Sequence, residues 1–183
     1  MIRTFSVLSL AIAGLTLTSC QSSPKVSDST KQIDSDSGNP QFEQVKSMVG
    51  DWYLVDAEPG DAPTATYRLS ANETAVVERL FPGKRKEMVT MYFIDDGRLK
   101  LTHFCALGNQ PTMGAIPGAG NEVEFEFLGI TNLADPNAKH MHEHVLEFTD
   151  DRNRVDSTWV LWNEGGEAER RLFPLQRRAM PLQ

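Results

Sequence analysis

The sequence predicts an all-β protein, an antiparallel up-and-down meander closed into a barrel of about 9–10 strands with a short N-terminal helix. From residue 41 onward, short β-rich runs are separated by turn residues at hairpin-length spacing, and no helix-period pattern interrupts them. The run 122–127 alternates strictly, which places its three apolar side chains in the core and its three glutamates in water. Closure into a barrel removes exposed strand edges, and a two-sheet sandwich of the same strands is the alternative.

The elements follow one another in a regular order. The first is a short helix at 42–48, which Gly50 ends. The β-rich runs after it are 51–57, 64–70, 74–81, 86–95, 98–106, 122–128, 141–149, 154–163 and 168–175. The Gly- and Pro-rich segment 107–121 is long for a barrel connection, so it either forms a lid over an open end or carries a further short strand at 112–116.

The first 20 residues carry an export signal. Arg3 supplies a basic start, an apolar stretch covers residues 5–17, and small residues precede Cys20. Only about 15 residues are apolar enough to insert, whereas a transmembrane helix needs roughly 20. The sequence Leu-Thr-Ser-Cys that ends at Cys20 resembles the lipobox of bacterial lipoproteins.

The resemblance to bacterial lipoproteins implies cleavage after Ser19, a diacylglycerol on the Cys20 sulfur and an acyl chain on its amine, so that the lipid bilayer is a partner. Gln21, rather than Asp, follows the cysteine, which implies the outer membrane and a position facing the periplasm. The polar composition of the next segment predicts a flexible tether. The expected organisation is therefore a signal peptide at 1–19, a lipidated cysteine and tether at 20–40, and a barrel domain at 41–183.

Composition excludes one class of partner and one source of stability. The chain has 18 basic and 25 acidic residues and a formal net charge of −7, whereas nucleic-acid binding needs a basic surface. It has two cysteines, and lipidation of Cys20 leaves Cys105 without a partner for an intrachain disulfide. Packing must therefore stabilise the domain.

The histidines are the residues most suited to chemistry. Period-two alternation directs His103, His142 and His144 into the barrel. Cα atoms at i and i+2 lie roughly 6.8 Å apart, so His142 and His144 can share a transition metal with His103 as a third ligand. Alternatively, one inward histidine ligates haem, or the three line a cavity and hydrogen-bond a ligand or water. The sequence shows no nucleophile elbow, phosphate loop or Cys-x-x-Cys that would indicate an enzyme class.

A short helix followed by Gly50-Asp51-Trp52 and a β-meander is similar to the start of calycin domains, the superfamily of lipocalins, fatty-acid-binding proteins and nitrobindin-like barrels. In lipocalins an arginine near the end of the last strand stacks on this tryptophan, a contact for which the sequence offers four candidates. They are Arg170, Arg171, Arg177 and Arg178. The segment 102–111 also resembles bacterial exported proteins of unassigned activity.

These observations favour a non-catalytic barrel that binds a small apolar or amphipathic ligand. The residues expected to contact it are Asn109, Gln110 and the inward histidines at 103, 142 and 144. One alternative is a metal- or haem-binding barrel that uses those histidines, with or without catalysis. The other is an envelope interaction module with a filled core, whose protein partners the sequence does not identify.

Overall fold

The computed structural model describes residues 38–178, so the predicted signal peptide, Cys20 and most of the tether lie outside the described residues. Within this range there is one helix and ten strands. Their bounds are α1 Pro40–Lys46, β1 Gly50–Leu54, β2 Ala65–Ser70, β3 Ala75–Leu80, β4 Met88–Asp95, β5 Arg98–Phe104, β6 Gln110–Ala115, β7 Glu122–Thr131, β8 His140–Phe148, β9 Arg154–Asn163 and β10 Gly166–Arg177.

The ten strands form a closed antiparallel barrel in which each strand pairs with its neighbours in sequence and β1 pairs with β10. This confirms the predicted up-and-down meander. Turn chemistry explains part of it: Asp95 pairs with Arg98 across a two-residue loop in which Asp96 and Gly97 have φ values of 52° and 74°. Positive φ at both positions is the geometry that joins two twisted strands tightly.

The helix α1 covers one end of the barrel. Asn39 caps it by accepting a hydrogen bond from the Phe42 N–H at 3.0 Å, and Phe42 and Val45 are fully buried. Gln41 donates from its side chain to the Ile116 carbonyl at 2.8 Å. The segment 107–121 thus carries the further strand, β6, and its end lies against α1 rather than forming a lid.

The end of the barrel that α1 covers is called the closed end, and the last strand, β10, contacts it through Arg177. Trp52 pairs with Arg177 across β1 and β10, and the Arg177 guanidinium lies 4.5 Å from the centre of the Trp52 ring system. Arg177 also donates to the Val49 carbonyl at 2.8 Å, and Trp52 Nε1 donates to the Met48 carbonyl at 2.6 Å. Of the four candidate arginines, Arg177 is therefore the one that stacks on the tryptophan.

Gly50 leaves space for that arginine. Its φ of +136° is a conformation that residues with a side chain rarely adopt, and a Cβ there would lie 2.7 Å from an Arg177 nitrogen. The Gly-x-Trp pattern thus has a packing role at the closed end, away from the opposite opening.

A β-bulge changes the alternation of β8. The register of β8 against β9 shifts between Met141 and Glu143, so that His142 is an extra residue in its strand. His144 and Met141 keep their pairing with Trp159 and Leu161. Side chains before the bulge therefore do not follow the alternation extrapolated from the residues after it.

Candidate functional site

A cavity of about 340 Å³ opens at the end of the barrel opposite α1. Its lining comes from the ends of β3, β5 and β9, the starts of β4, β8 and β10, and two connections. The lining residues are Leu80, Phe81, Lys86, Met88, His103, Cys105, Ala106, Leu107, Met141, Trp159, Leu161, Glu169, Arg171 and Phe173. This volume lies at the small end of the range of roughly 300–1,000 Å³ typical of small-molecule sites.

The wall is largely apolar and the rim is charged. Arg171 pairs with Trp159 across β10 and β9, so its side chain starts on the inner face, yet it is exposed because the barrel is open there. It forms an ion pair with Glu169 at 2.5 Å, and Lys86 also lines the opening. The arrangement suits a molecule with an apolar body.

His103 is the predicted site residue that lines this cavity. Only 1% of its surface is exposed, and its ring lies 4.5 Å from that of Trp159, measured between ring centres. Its Nδ1 is 2.9 Å from the Thr90 hydroxyl, whereas its Nε2 has no hydrogen-bond partner. Trp159 Nε1 also lacks a partner. An unpartnered buried polar atom costs roughly 1–3 kcal/mol.

Next to the cavity, a carboxyl group is fully buried inside the barrel. Glu78 accepts hydrogen bonds from the Tyr67 hydroxyl at 2.7 Å and from the Tyr92 hydroxyl at 3.2 Å, and it pairs with Thr90 across β3 and β4. None of the four side chains is exposed. Burial disfavours the carboxylate and raises the pKa of Glu78, an effect that its hydrogen bonds partly offset.

His144 extends this network. Its Nδ1 lies 3.0 Å from the Thr158 carbonyl, which can only accept, so Nδ1 donates. The Tyr92 hydroxyl lies 3.2 Å from His144 Nε2 and donates to Glu78 at the same distance, so Tyr92 connects this histidine to the buried carboxyl group.

His103 joins the network through Thr90. Its Nδ1 and the Thr90 hydroxyl are hydrogen-bonded at 2.9 Å, and either atom can be the donor. A neutral imidazole carries one proton, so Nε2 is an acceptor when Nδ1 holds that proton and a donor when it does not.

Both inner histidines are neutral at pH 7. Burial lowers the pKa of His103 to about 4 and that of His144 to about 3. His144 is fully buried and stacks on Trp159 with 3.9 Å between ring centres, but it does not line the cavity. It therefore acts through the network rather than by touching a ligand.

His142 also does not line the cavity, which corrects the expectation drawn from alternation. As the extra residue of the bulge, it stacks between Phe127, at 4.5 Å, and Trp162, at 3.8 Å, again between ring centres. Its Nδ1 lies 3.0 Å from His140 Nε2. A separate depression of about 380 Å³ adjoins it and includes Glu143 and two other glutamates.

Asn109 and Gln110, which were expected to contact a ligand, bond to the surrounding loops. The Asn109 amide donates to the Lys139 carbonyl at 2.8 Å and links the start of β6 to the approach to β8. Gln110 donates to the Gly108 carbonyl at 3.1 Å and accepts from the Thr131 hydroxyl at 2.9 Å. Neither side chain lines the cavity.

The three predicted metal ligands are not brought together. In the described range 38–178, no group of three or more His, Cys, Asp or Glu side chains is placed to hold a metal ion. Haem needs only one histidine ligand. His103 lines the cavity, but its Nε2 is covered by protein, so an iron about 2 Å from this nitrogen would require the cavity wall to rearrange.

Sequence reasoning missed Glu78 and Trp159. The signal for Glu78 was present, since it shares a strand face with Val76 and Leu80, both of which are buried. A charged residue in an otherwise apolar inward set is unusual unless it has partners. Trp159 lay in a predicted strand, but nothing local showed that its ring would face His103.

The comparisons with known proteins do not assign a function to this chain. The described part of the chain contains no helix long and apolar enough to cross a membrane. No protein-family model matches this sequence, and no curated protein matches it significantly. The cavity and the groups that line it are therefore the basis for inferring the function of the chain.

Proposed function

We propose that this protein is a non-catalytic binding barrel, held at the outer membrane by a lipidated Cys20, whose cavity takes up a small amphipathic ligand. The observation that carries the proposal is the cavity of about 340 Å³ with an apolar wall and a charged rim. An apolar wall gains free energy when it covers an apolar ligand, at roughly 25 cal/mol for each Å² removed from water. The rim charges can contact a polar group that remains near the solvent.

The groups at the cavity favour binding over covalent chemistry. Cys105 is the one thiol in the lining, and burial raises its pKa, whereas a nucleophilic cysteine needs a thiolate. His103 is hydrogen-bonded through its Nδ1 to Thr90, at 2.9 Å. The dominant property of the wall is therefore its shape and apolarity.

A matched pair of methionine substitutions on β4 tests the ligand site. Met88 lines the cavity, whereas Met91 is 36% exposed and does not line it. The domain can be taken as residues 34–183, which include the buried core of the described residues. The probe is 1-anilinonaphthalene-8-sulfonate, whose fluorescence rises in apolar sites.

We expect saturable binding of about one dye per barrel in the unmodified domain and in Met91→Trp, and at least tenfold weaker binding in Met88→Trp. Equal binding by both variants would contradict the proposal, and absence of binding would favour an interaction module with a filled core. A Soret band that shifts when haemin is added and requires His103 would instead support the haem alternative.

The anchor is tested separately, because the chain has only two cysteines. Metabolic labelling of the full chain with an alkyne palmitate should mark the unmodified protein and Cys105→Ser, and should fail for Cys20→Ser. A label that survives Cys20→Ser would contradict lipidation at this position. This result does not depend on what the cavity binds.

A further inference from the structure

Two polar atoms in the cavity wall lack partners, and they belong to adjacent rings. His103 Nε2 and Trp159 Nε1 are both buried, in side chains that are 1% and 3% exposed. The ring centres lie 4.5 Å apart, and both residues line the cavity. Buried polar groups are nearly always paired with protein, water or a bound molecule, so this pair indicates a partner.

The donor and acceptor roles of the two atoms limit the ligand. The indole Nε1 of Trp159 can only donate. His103 Nε2 accepts when the ring proton is on Nδ1, the nitrogen that is hydrogen-bonded to Thr90. In that tautomer the pair offers one donor and one acceptor to a bound group.

We propose that His103 holds its proton on Nδ1 and that this pair binds the hydroxyl group of an aliphatic alcohol, with the apolar chain along the rest of the cavity. The inference rests on the proposed function and specifies its ligand. A hydroxyl donates one hydrogen bond and accepts another, so it satisfies His103 Nε2 and Trp159 Nε1 together. A carboxylate only accepts and would oppose the lone pair of Nε2, while an ammonium only donates and leaves Trp159 unpaired.

Binding at this pair requires the cavity wall to rearrange. Both atoms are covered in the structure, so a neighbouring side chain must move for a hydroxyl oxygen to reach them. Met141 lines the same wall, and its unbranched side chain changes rotamer easily. The chain of the alcohol would then extend past Met88 and Leu161 toward the opening.

The first test changes only the ligand, so it does not depend on a variant that folds. Isothermal titration calorimetry of residues 34–183 compares 1-octanol with 1-methoxyheptane, which has the same number of non-hydrogen atoms but cannot donate a hydrogen bond. We expect the alcohol to bind about tenfold more tightly. Equal affinities would overturn the proposal. Heptanoate that binds more tightly than both would also overturn it and would place the head group at Lys86 and Arg171.

The second test assigns the preference to a residue. His103→Phe keeps an aromatic ring of similar size but removes the acceptor, so octanol and methoxyheptane should bind within about twofold of each other. His142→Phe is the matched control, because His142 does not line the cavity, and it should keep the full preference. A preference that persists in His103→Phe would contradict the proposed contact.

These outcomes separate the two proposals. If all three probes bind the unmodified domain equally and Met88→Trp abolishes binding, the cavity binds ligands and only the hydroxyl inference fails. If none of the probes binds, the proposed function itself fails.

Discussion

The two ends of the barrel differ although the same strands build them. At the closed end, α1 covers the opening, Trp52 is fully buried, and Arg177 bonds to carbonyls and stacks on the Trp52 ring. At the open end no helix of the described residues 38–178 covers the strands, the cavity reaches solvent, and Arg171 is exposed. Arg171 and Arg177 lie on the same face of β10, so the covering helix decides which arginine packs against the core.

The two ends of the barrel contribute to different properties, the closed end to stability and the open end to binding. Apolar side chains from α1 and β1 fill the closed end and supply stability through packing. The open end leaves polar atoms unpaired and a volume unfilled, which lowers stability but provides a binding site. Substitutions at the two ends should therefore affect different properties.

The largest effect should come from the tryptophan of the closed end. Trp52→Ala removes a fully buried ring system and should lower the free energy of unfolding by about 3–5 kcal/mol. Trp162→Ala is the control, because Trp162 is only partly buried and stacks on His142. Urea unfolding of both variants measures the difference. Equal losses would mean that the closed end is not the more strongly packed region.

Acid should destabilise the domain through the inner histidines. Their pKa values are lowered in the folded state, so the stability they contribute is present above about pH 6.5 and is lost as pH falls toward 4. At pH 5 each of the two histidines should lower the free energy of unfolding by about 2 kcal/mol relative to neutral pH.

The variant His144→Phe isolates one histidine. Glu78 has a raised pKa and acts in the opposite direction, stabilising the fold as pH falls toward 4.5, but it is present in both proteins. The stability of the unmodified domain relative to His144→Phe should thus fall by about 2 kcal/mol between pH 7.5 and 5. Denaturant titrations at both pH values measure this change. A constant difference would show that His144 is not held neutral.

A smaller contrast compares the two arginines of β10. Arg177→Met should lower the free energy of unfolding by about 1–2 kcal/mol, since it removes the stacking on Trp52 and the bonds to carbonyls. Arg171→Met, at the exposed rim, should change it by no more than about 0.5 kcal/mol. Thermal unfolding of the pair provides the measurement, and a larger loss for Arg171→Met would reverse the assignment of the ends.

The smallest contrast concerns two glycines with positive φ. Gly50→Ala and Gly60→Ala share the conformational strain, but only the first would meet a side-chain atom, an Arg177 nitrogen at 2.7 Å. The extra cost of Gly50→Ala should be about 1 kcal/mol, because the arginine must shift. Urea unfolding of the two variants gives this value. If both cost the same, Arg177 does not need the space above Gly50.

Much of the fold was predictable because turn residues and strand alternation are local signals. The paired turn at Asp96 and Gly97, and the alternating run 122–127, specify strands and their faces without knowledge of distant contacts. The additional strand β6 was foreseen as one of two alternatives. Trp52 was expected to carry a stacked arginine, but the identity of Arg177 as its partner required the register between β1 and β10.

The site was less predictable because it depends on register and on distant residues. A single bulged residue at His142 breaks the alternation that predicted its side chain would line the cavity. The ring contact between His103 and Trp159, which are 56 positions apart, arises from barrel closure. No pattern in the sequence near either residue predicts it. The contacts of Asn109 and Gln110 with the loops likewise depend on how the connections pack.

The central claim is that the open end binds an amphipathic alcohol at His103 and Trp159. The three tryptophans report on it in one experiment, because their indole N–H signals are resolved in a ¹H–¹⁵N correlation spectrum of residues 34–183. Trp52 Nε1 is bonded to Met48 at the closed end, and Trp162 lies beside His142. Addition of 1-octanol should move the Trp159 signal downfield and leave the other two in place. No movement of Trp159, or movement of Trp162 instead, would contradict the account.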